Sequence, residues 1–318
     1  MGEESRIETK RFTLREFVEA GRERLHLETV VDAGFDAVVG EPMMYRPGLA
    51  LTGFFENFAW KRLQVIGKAE RAYLMSLEPG VRAERFRALF AHGAYCLIFA
   101  CGMEVPDGVV EIARTAGAAV LRTDLLTRNL FHLGTFVLER LRAPTARVYA
   151  TTVEVAGMGV MMRGEPGLGK SETALGLIKH GNALVADDFT CLRKDVGSNV
   201  IYASASGATC DYMEIRGIGI IHVPSVFGVT AVRGEKQLDL VITFRRMDDV
   251  GGELDRVGED VRSANILGVD VPELVIPVSA GRDLVNLVET AAQQQKLRAA
   301  GHDAAGNLDA RLKARAER

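Results

Sequence analysis

At 318 residues the chain is long for one domain and suits two. Hydrophobic residues make up 47% of it, enough for sizeable buried cores, which excludes a disordered chain. With 39 Lys and Arg against 42 Asp and Glu, the net charge of −3 offers no general attraction to nucleic acid or to an anionic membrane.

The opening stretch "MGEESRIETKRF" is charged and lacks the apolar core of a signal peptide. No run approaches the roughly 18 apolar residues of a membrane span. A cytoplasmic protein with no membrane or nucleic-acid partner is expected. Four cysteines, Cys96, Cys101, Cys191 and Cys210, show no paired or zinc-like spacing and read as buried free thiols.

In chain order, "LREFVEAGRERL" has helical spacing and "DAVVG" (36–40) is a short strand candidate. "LQVIG" reads as a strand and "KAERAYLMSL" as a helix. "ERFRALFAHG", "YCLIFACG", "GVVEIARTAG", "AAVLRTD" and "LTRNLFHLGTFVLERL" continue the alternation of helix and strand. This order predicts an α/β layered domain with a largely parallel sheet over 1–142. "RAPTAR" interrupts the pattern at Pro144, and a second domain is expected over 143–300. It opens with β-rich runs joined by Ala156-Gly157-Met158-Gly159, a hairpin signature. A helix over Ser171 to His180, a strand "ALVADD", further β pairs and a closing helix over 282–300 follow. The last segment, 301–318, is polar and alanine-rich and reads as a frayed helix or tail.

Residues Gly164, Glu165, Pro166, Gly167, Leu168, Gly169, Lys170 and Ser171 spell G-x-x-x-x-G-K-[ST], between a predicted strand and a predicted helix. The glycines let the backbone wrap an oxyanion, and the helix start adds its positive end to the same point. Lys170 suits the terminal phosphates of a nucleotide, and the Ser171 hydroxyl suits magnesium. Seventeen and eighteen residues past Lys170 stand Asp187 and Asp188, at the end of the next predicted strand. Side chains of adjacent strand residues point to opposite faces, so the two carboxylates can serve a metal and an acceptor separately. From spacing alone, a metal-holding pair, a proton acceptor and a turn-forming pair all remain open.

Together "GEPGLGKSETALGLIKHGNALVADD", "MEIRGIGII" (213–221), "LDRVG" (254–258), "ELVIPVSAGRDL" and "RPGLALTGFFENFAWKRLQVIGKAE" resemble the HPr kinase/phosphorylase family over nearly the whole chain. The resemblance implies an N-terminal α/β domain and a C-terminal P-loop kinase core related to phosphoenolpyruvate carboxykinase. It further implies a homohexamer that uses ATP and Mg2+ to phosphorylate a serine of the phosphocarrier protein HPr. Carried over by position, Asp188 matches the proton acceptor, with Asp187 beside it, and Glu214 matches a magnesium ligand alongside Ser171. Arg256 matches an arginine that neutralises charge on the transferred group.

Two departures stand out. Tyr149 occupies the place, 21 residues before Lys170, where the family has an active-site histidine. A phenol, with a pKa of about 10, neither supplies a cation nor titrates near neutrality. The family's "VRPGRN", tied to dephosphorylation, stands here as "VSAGRD" (278–283), with Ser279, Ala280 and Asp283 replacing arginine, proline and asparagine. Loss of that arginine is expected to weaken most the direction in which inorganic phosphate is the nucleophile and pyrophosphate the product. A nucleotide-binding regulatory sensor without transfer, and a kinase of the same fold with another acceptor, are the competing readings.

Overall fold

The computed structural model describes residues 11–106, 108–195, 197–249, 262–279 and 281–302, and the chain divides into two compact units between Ala143 and Pro144. In chain order, the first unit holds α1 (Leu14–Gly21), β1 (Glu28–Val31), β2 (Met44–Tyr45), α2 (Gly48–Leu51), β3 (Leu63–Ile66) and α3 (Lys68–Ser76). Then come α4 (Pro79–Ala91), β4 (Cys96–Phe99), α5 (Val109–Ala116), β5 (Ala119–Arg122) and α6 (Thr127–Arg142). The sheet order is β1-β5-β4-β3-β2, with β2 to β5 mutually parallel and β1 antiparallel at one edge.

Continuous apolar strands such as "LQVI" and "CLIF" are buried on both faces, as a parallel sheet requires. Cys96 and Ile98 of β4 face Phe17, Leu130 and Leu138 of α1 and α6. Leu97 and Phe99 face Leu74, Phe86, Leu89 and Val109 of α3, α4 and α5. Each of these Leu, Ile and Phe side chains, fully withdrawn from water, contributes about 1.5–3 kcal/mol. A capping box sets the start of α1, where Thr13 Oγ1 accepts from the Glu16 amide and Glu16 accepts from the Thr13 amide. The expected strand at "DAVVG" does not form. That segment makes one bridge, Val38 to Thr13, and its hydrogen bonds go to the chain around the start of α1 instead of a sheet.

The second unit begins with β6 (Thr145–Tyr149), β7 (Thr151–Val155), β8 (Met158–Arg163), α7 (Lys170–Lys179), β9 (Ala183–Ala186), β10 (Phe189–Lys194) and β11 (Ile201–Ala205). It continues with β12 (Tyr212–Ile215), β13 (Gly219–His222), α8 (Val223–Phe227), β14 (Glu235–Gln237), β15 (Leu240–Arg246), β16 (Arg262–Ile266), β17 (Val269–Val278) and α9 (Leu284–Ala299). One sheet has the order β16-β17-β15-β8-β7-β9, with β8, β15 and β17 parallel; a second runs β14-β11-β10-β6, and β12 pairs with β13 alone. Helices α7 and α9 cover one face of the six-stranded sheet through Leu177, Ile178, Val288 and Ala292. Met161, Val185 and Val241 on the other face pack against Leu192, Ile201 and Ala203 of the four-stranded sheet.

Ala156 and Gly157, at φ 51° and 85°, make the two-residue turn between β7 and β8. β7 runs antiparallel to both β8 and β9, so β8 and β9 end at the same edge of the sheet. That geometry puts the glycine loop and the aspartate pair side by side. The aspartates, however, are not strand residues. β9 ends at Ala186, and Asp187-Asp188 form a tight turn in which the Phe189 amide donates to Asp187 O at 2.7 Å and Asp188 takes φ 59°. The chain must leave one sheet for the other here, so the alternation argument fails and the turn sets where each carboxylate points.

Cys96 is buried, whereas Cys101, Cys191 and Cys210 are only partly so, and all four are free. Among the described residues no helix is long and apolar enough to cross a membrane.

Candidate active site

β8 runs buried through the middle of its sheet and delivers Gly164 at its carboxyl end. Gly164, Gly167 and Gly169 take φ of 147°, 86° and 84°, conformations that side chains resist. At Gly164 a Cβ would stand 2.6 Å from the Phe244 carbonyl oxygen, on the neighbouring strand. Glu165, Pro166 and Gly167 are exposed at the loop tip, while Leu168 plugs into the core. Below the loop, Arg163 donates to Thr243 Oγ1 at 2.8 Å and to Glu273 Oε1 at 2.6 Å, bracing the end of β8. Gly169 gives α7 no side-chain cap, so its first-turn amides face the loop's concavity.

Lys170 is buried, and its Nζ donates to Gly164 O at 2.8 Å and Glu165 O at 3.1 Å. Burial holds its pKa below the usual lysine range, against the pull of Asp188, Asp187 and Glu172. The ammonium also lies 4.6 Å above the centre of the Tyr149 ring. Asp187 is 8% exposed, and its Oδ1 accepts from Thr151 Oγ1 at 2.9 Å and from Ser171 Oγ at 3.0 Å. Its Oδ2 is buried with no hydrogen-bond partner. Burial raises the Asp187 pKa above the ordinary carboxylate value, although both hydroxyls oppose this. Asp188 is half-buried, beside Tyr149 and Phe189, and its carbonyl accepts the Ala150 amide at 3.0 Å.

Glu214 stands on β12, where Met213 and Ile215 turn into the core and Glu214 turns outward. This strand packs against α7. Arg216, just beyond it, brings a guanidinium nitrogen to 3.6 Å from the position of a Cβ on Gly167, so it reaches the tip of the glycine loop. Arg256 lies outside the described residues. The structure therefore brings together the loop 164–171, Asp187, Asp188 and Tyr149, with Glu214 on an adjoining hairpin. Sequence reasoning passed over Thr151 and Arg216. Only the neighbouring "EIRG" motif signalled Arg216, and nothing local signalled Thr151.

Several features of the loop suit a magnesium–nucleotide complex. The positive-φ glycines leave a cradle that a Cβ would obstruct at Gly164. Asp187 bonds the Ser171 hydroxyl with one carboxylate oxygen, and the other is buried without a hydrogen-bond partner. Hydroxyl and carboxylate oxygens are the donors that magnesium prefers.

A family model described as HPr Serine kinase N terminus matches residues 12–138, and one described as HPr Serine kinase C-terminal domain matches residues 140–312. The chain belongs to the HPr serine kinase family. It is 37% identical over 290 residues to the HPr kinase/phosphorylase of Leptospira biflexa, covering 91% of this chain and 90% of that one. With the HPr kinase/phosphorylase of Caldicellulosiruptor bescii it shares 41% identity over 268 residues, 84% of this chain and 85% of that one. The solved HPr(Ser) kinase/phosphatase from Coxiella burnetii aligns at 32% identity and a TM-score of 0.47, covering 51% of this chain and 98% of that chain. As in other members of the HPr serine kinase family, an N-terminal α/β domain precedes a kinase core.

Proposed function

We propose that this chain is an ATP-dependent protein serine kinase acting on a serine of HPr, in regulation of bacterial carbon metabolism. The observation that supports the reading is the Asp187-Asp188 turn, in which Asp187 bonds Ser171 and Asp188 takes a left-handed backbone. Asp187 faces inward to Ser171, on the side of the phosphate donor. Asp188 is half-buried, and in this reading it is the carboxylate that meets the acceptor hydroxyl.

In this account the loop amides and the α7 start hold the phosphates of ATP, and Lys170 meets the transferring group. Ser171 and Glu214 would hold Mg2+, with Asp187 orienting Ser171 through its Oδ1. Bound there, the ion would supply positive charge to the phosphate oxygens. Asp188 takes the proton of the serine hydroxyl as that oxygen attacks the γ-phosphorus, a contribution of about 10²–10⁴ in rate. Arg256, by resemblance, meets charge on the transferred group.

In reverse, inorganic phosphate attacks phosphoserine, protonated Asp188 returns its proton to the serine oxygen, and pyrophosphate leaves. That direction is proposed to be weak here, because Ser279 stands where the family has an arginine and the neighbouring Arg282 and Asp283 make local contacts. Asp283 caps α9 by accepting the Asn286 amide at 3.1 Å, and Arg282 donates to Pro277 O at 3.0 Å. Transfer is assigned to 143–300, and the active form to a cytoplasmic homohexamer, which sedimentation of the purified chain tests.

Incubating the full chain with γ-labelled ATP, Mg2+ and HPr from the same source tests the function. Label on an HPr serine is expected. ATP binding without transfer would identify a sensor, and label on a different protein would change the acceptor.

A further inference from the structure

Tyr149 ends β6, directly opposite Phe189 in the register of β6 with β10. The next residue, Ala150, donates its amide to Asp188 O, so the tyrosine's own strand holds the backbone of the aspartate turn. The ring is fixed from two sides. Lys170 Nζ covers it at 4.6 Å, and Phe189 meets it edge-on at 5.6 Å. Phe189 is itself held by the Arg147 guanidinium, 4.4 Å from its centre. Arg147, Phe189, Tyr149 and Lys170 thus form a row in which two rings lie between two cations, ending at the P-loop lysine. The phenol also stands close enough to the Asp188 carboxylate for that charge to act on it.

We propose that Tyr149 is a positioning residue for phosphoryl transfer, its ring face locating the Lys170 ammonium and its hydroxyl orienting the Asp188 carboxylate. The two ends of one rigid side chain then fix the distance between the group that meets the phosphates and the group that meets the acceptor. A ring face attracts a cation without neutralising it, so Lys170 keeps its full charge for the nucleotide. Burial, with Asp188 and Asp187 and against Arg216, keeps the phenol protonated and therefore able to donate to Asp188. The inference rests on the kinase reading above, because it assigns Asp188 to the acceptor.

The full chain is compared as parent, Tyr149→Phe and Tyr149→Leu, each also in a Lys170→Met background. Magnesium–ATP affinity is measured by titration calorimetry and transfer to HPr by label. Tyr149→Phe keeps the ring and is expected to bind ATP within about twofold of the parent, while kcat falls about tenfold from loss of a hydrogen bond to a charged group. Tyr149→Leu is expected to lose a further factor of about ten in ATP affinity with the cation–ring contact. In the Lys170→Met background that affinity loss should vanish, since the ring then has no cation to hold.

The proposal is overturned if Tyr149→Leu binds ATP as tightly as the parent, or if its loss persists in the Lys170→Met background. A Tyr149→Phe protein with parental kcat would overturn it equally. Should the parent fail to label HPr, the kinase reading falls separately, and the ATP-affinity cycle alone decides the proposal.

Discussion

Ser171 Oγ donates to Asp187 Oδ1 at 3.0 Å, joining the first turn of the P-loop helix to the end of the next strand in the same unit. The same oxygen accepts Thr151 Oγ1 at 2.9 Å, while Oδ2 stays buried and unpartnered. A carboxylate so constrained has one oxygen committed to two hydroxyls of the protein. Asp188, one residue on, is turned elsewhere by a left-handed backbone. This division underlies the predictions below.

Thr151 is fully buried, and its hydroxyl serves Asp187. Thr151→Val keeps the shape and removes the donor, so unfolding free energy should fall by about 1 kcal/mol. Urea denaturation of the two proteins measures this; an unchanged midpoint would show that the contact contributes nothing.

Burial raises the Asp187 pKa, so this carboxyl binds its proton more tightly folded than unfolded. Without nucleotide or metal, its ionisation therefore costs stability as pH rises from about 4 through the raised value, and the loss persists above it. Asp187→Asn does not titrate. Relative to the parent, the variant should gain stability between pH 4 and pH 7, read from urea curves at both. A relative loss over that window would reverse the assigned sign.

Gly164 combines φ 147° with a Cβ position 2.6 Å from a backbone oxygen of the central strand β15. Gly164→Ala should cost about 1–3 kcal/mol in stability and weaken ATP binding. Gly234→Ala, where nothing lies within 4 Å, is the control and should leave both unchanged within error.

The reverse reaction should be the weaker one. With Asp283 committed to the α9 cap and Arg282 to Pro277 O, pyrophosphate release from seryl-phosphorylated HPr plus phosphate is expected at a tenth of the kinase rate or less. Comparable turnover in both directions would contradict this.

The phosphate loop was legible because its information is local: glycine spacing encodes the positive φ values, and the lysine and serine follow in register. The layered first domain was legible too, since fully apolar strands and amphipathic helices alternate along it. What stayed hidden depends on chain segments far apart. Thr151 and Asp187 are 36 residues apart and meet only because β7 pairs with β9. The break of β9 at Ala186 follows from a change of sheet, which no local pattern announces. The "DAVVG" run has strand composition, yet the strand pairings are taken by others. Tyr149 read as a loss, a residue without a titratable imidazole. In the fold its ring lies under the Lys170 ammonium, and the phenol stands near Asp188.

The central claim is that Asp188 accepts the serine proton while the P-loop holds the nucleotide independently. The direct measurement is transfer of labelled phosphate from ATP to HPr by the parent and by Asp188→Asn, with ATP affinity determined for each. The account predicts a fall in kcat of about 10²–10⁴ with ATP affinity unchanged within about twofold. Transfer that survives the substitution would contradict the account.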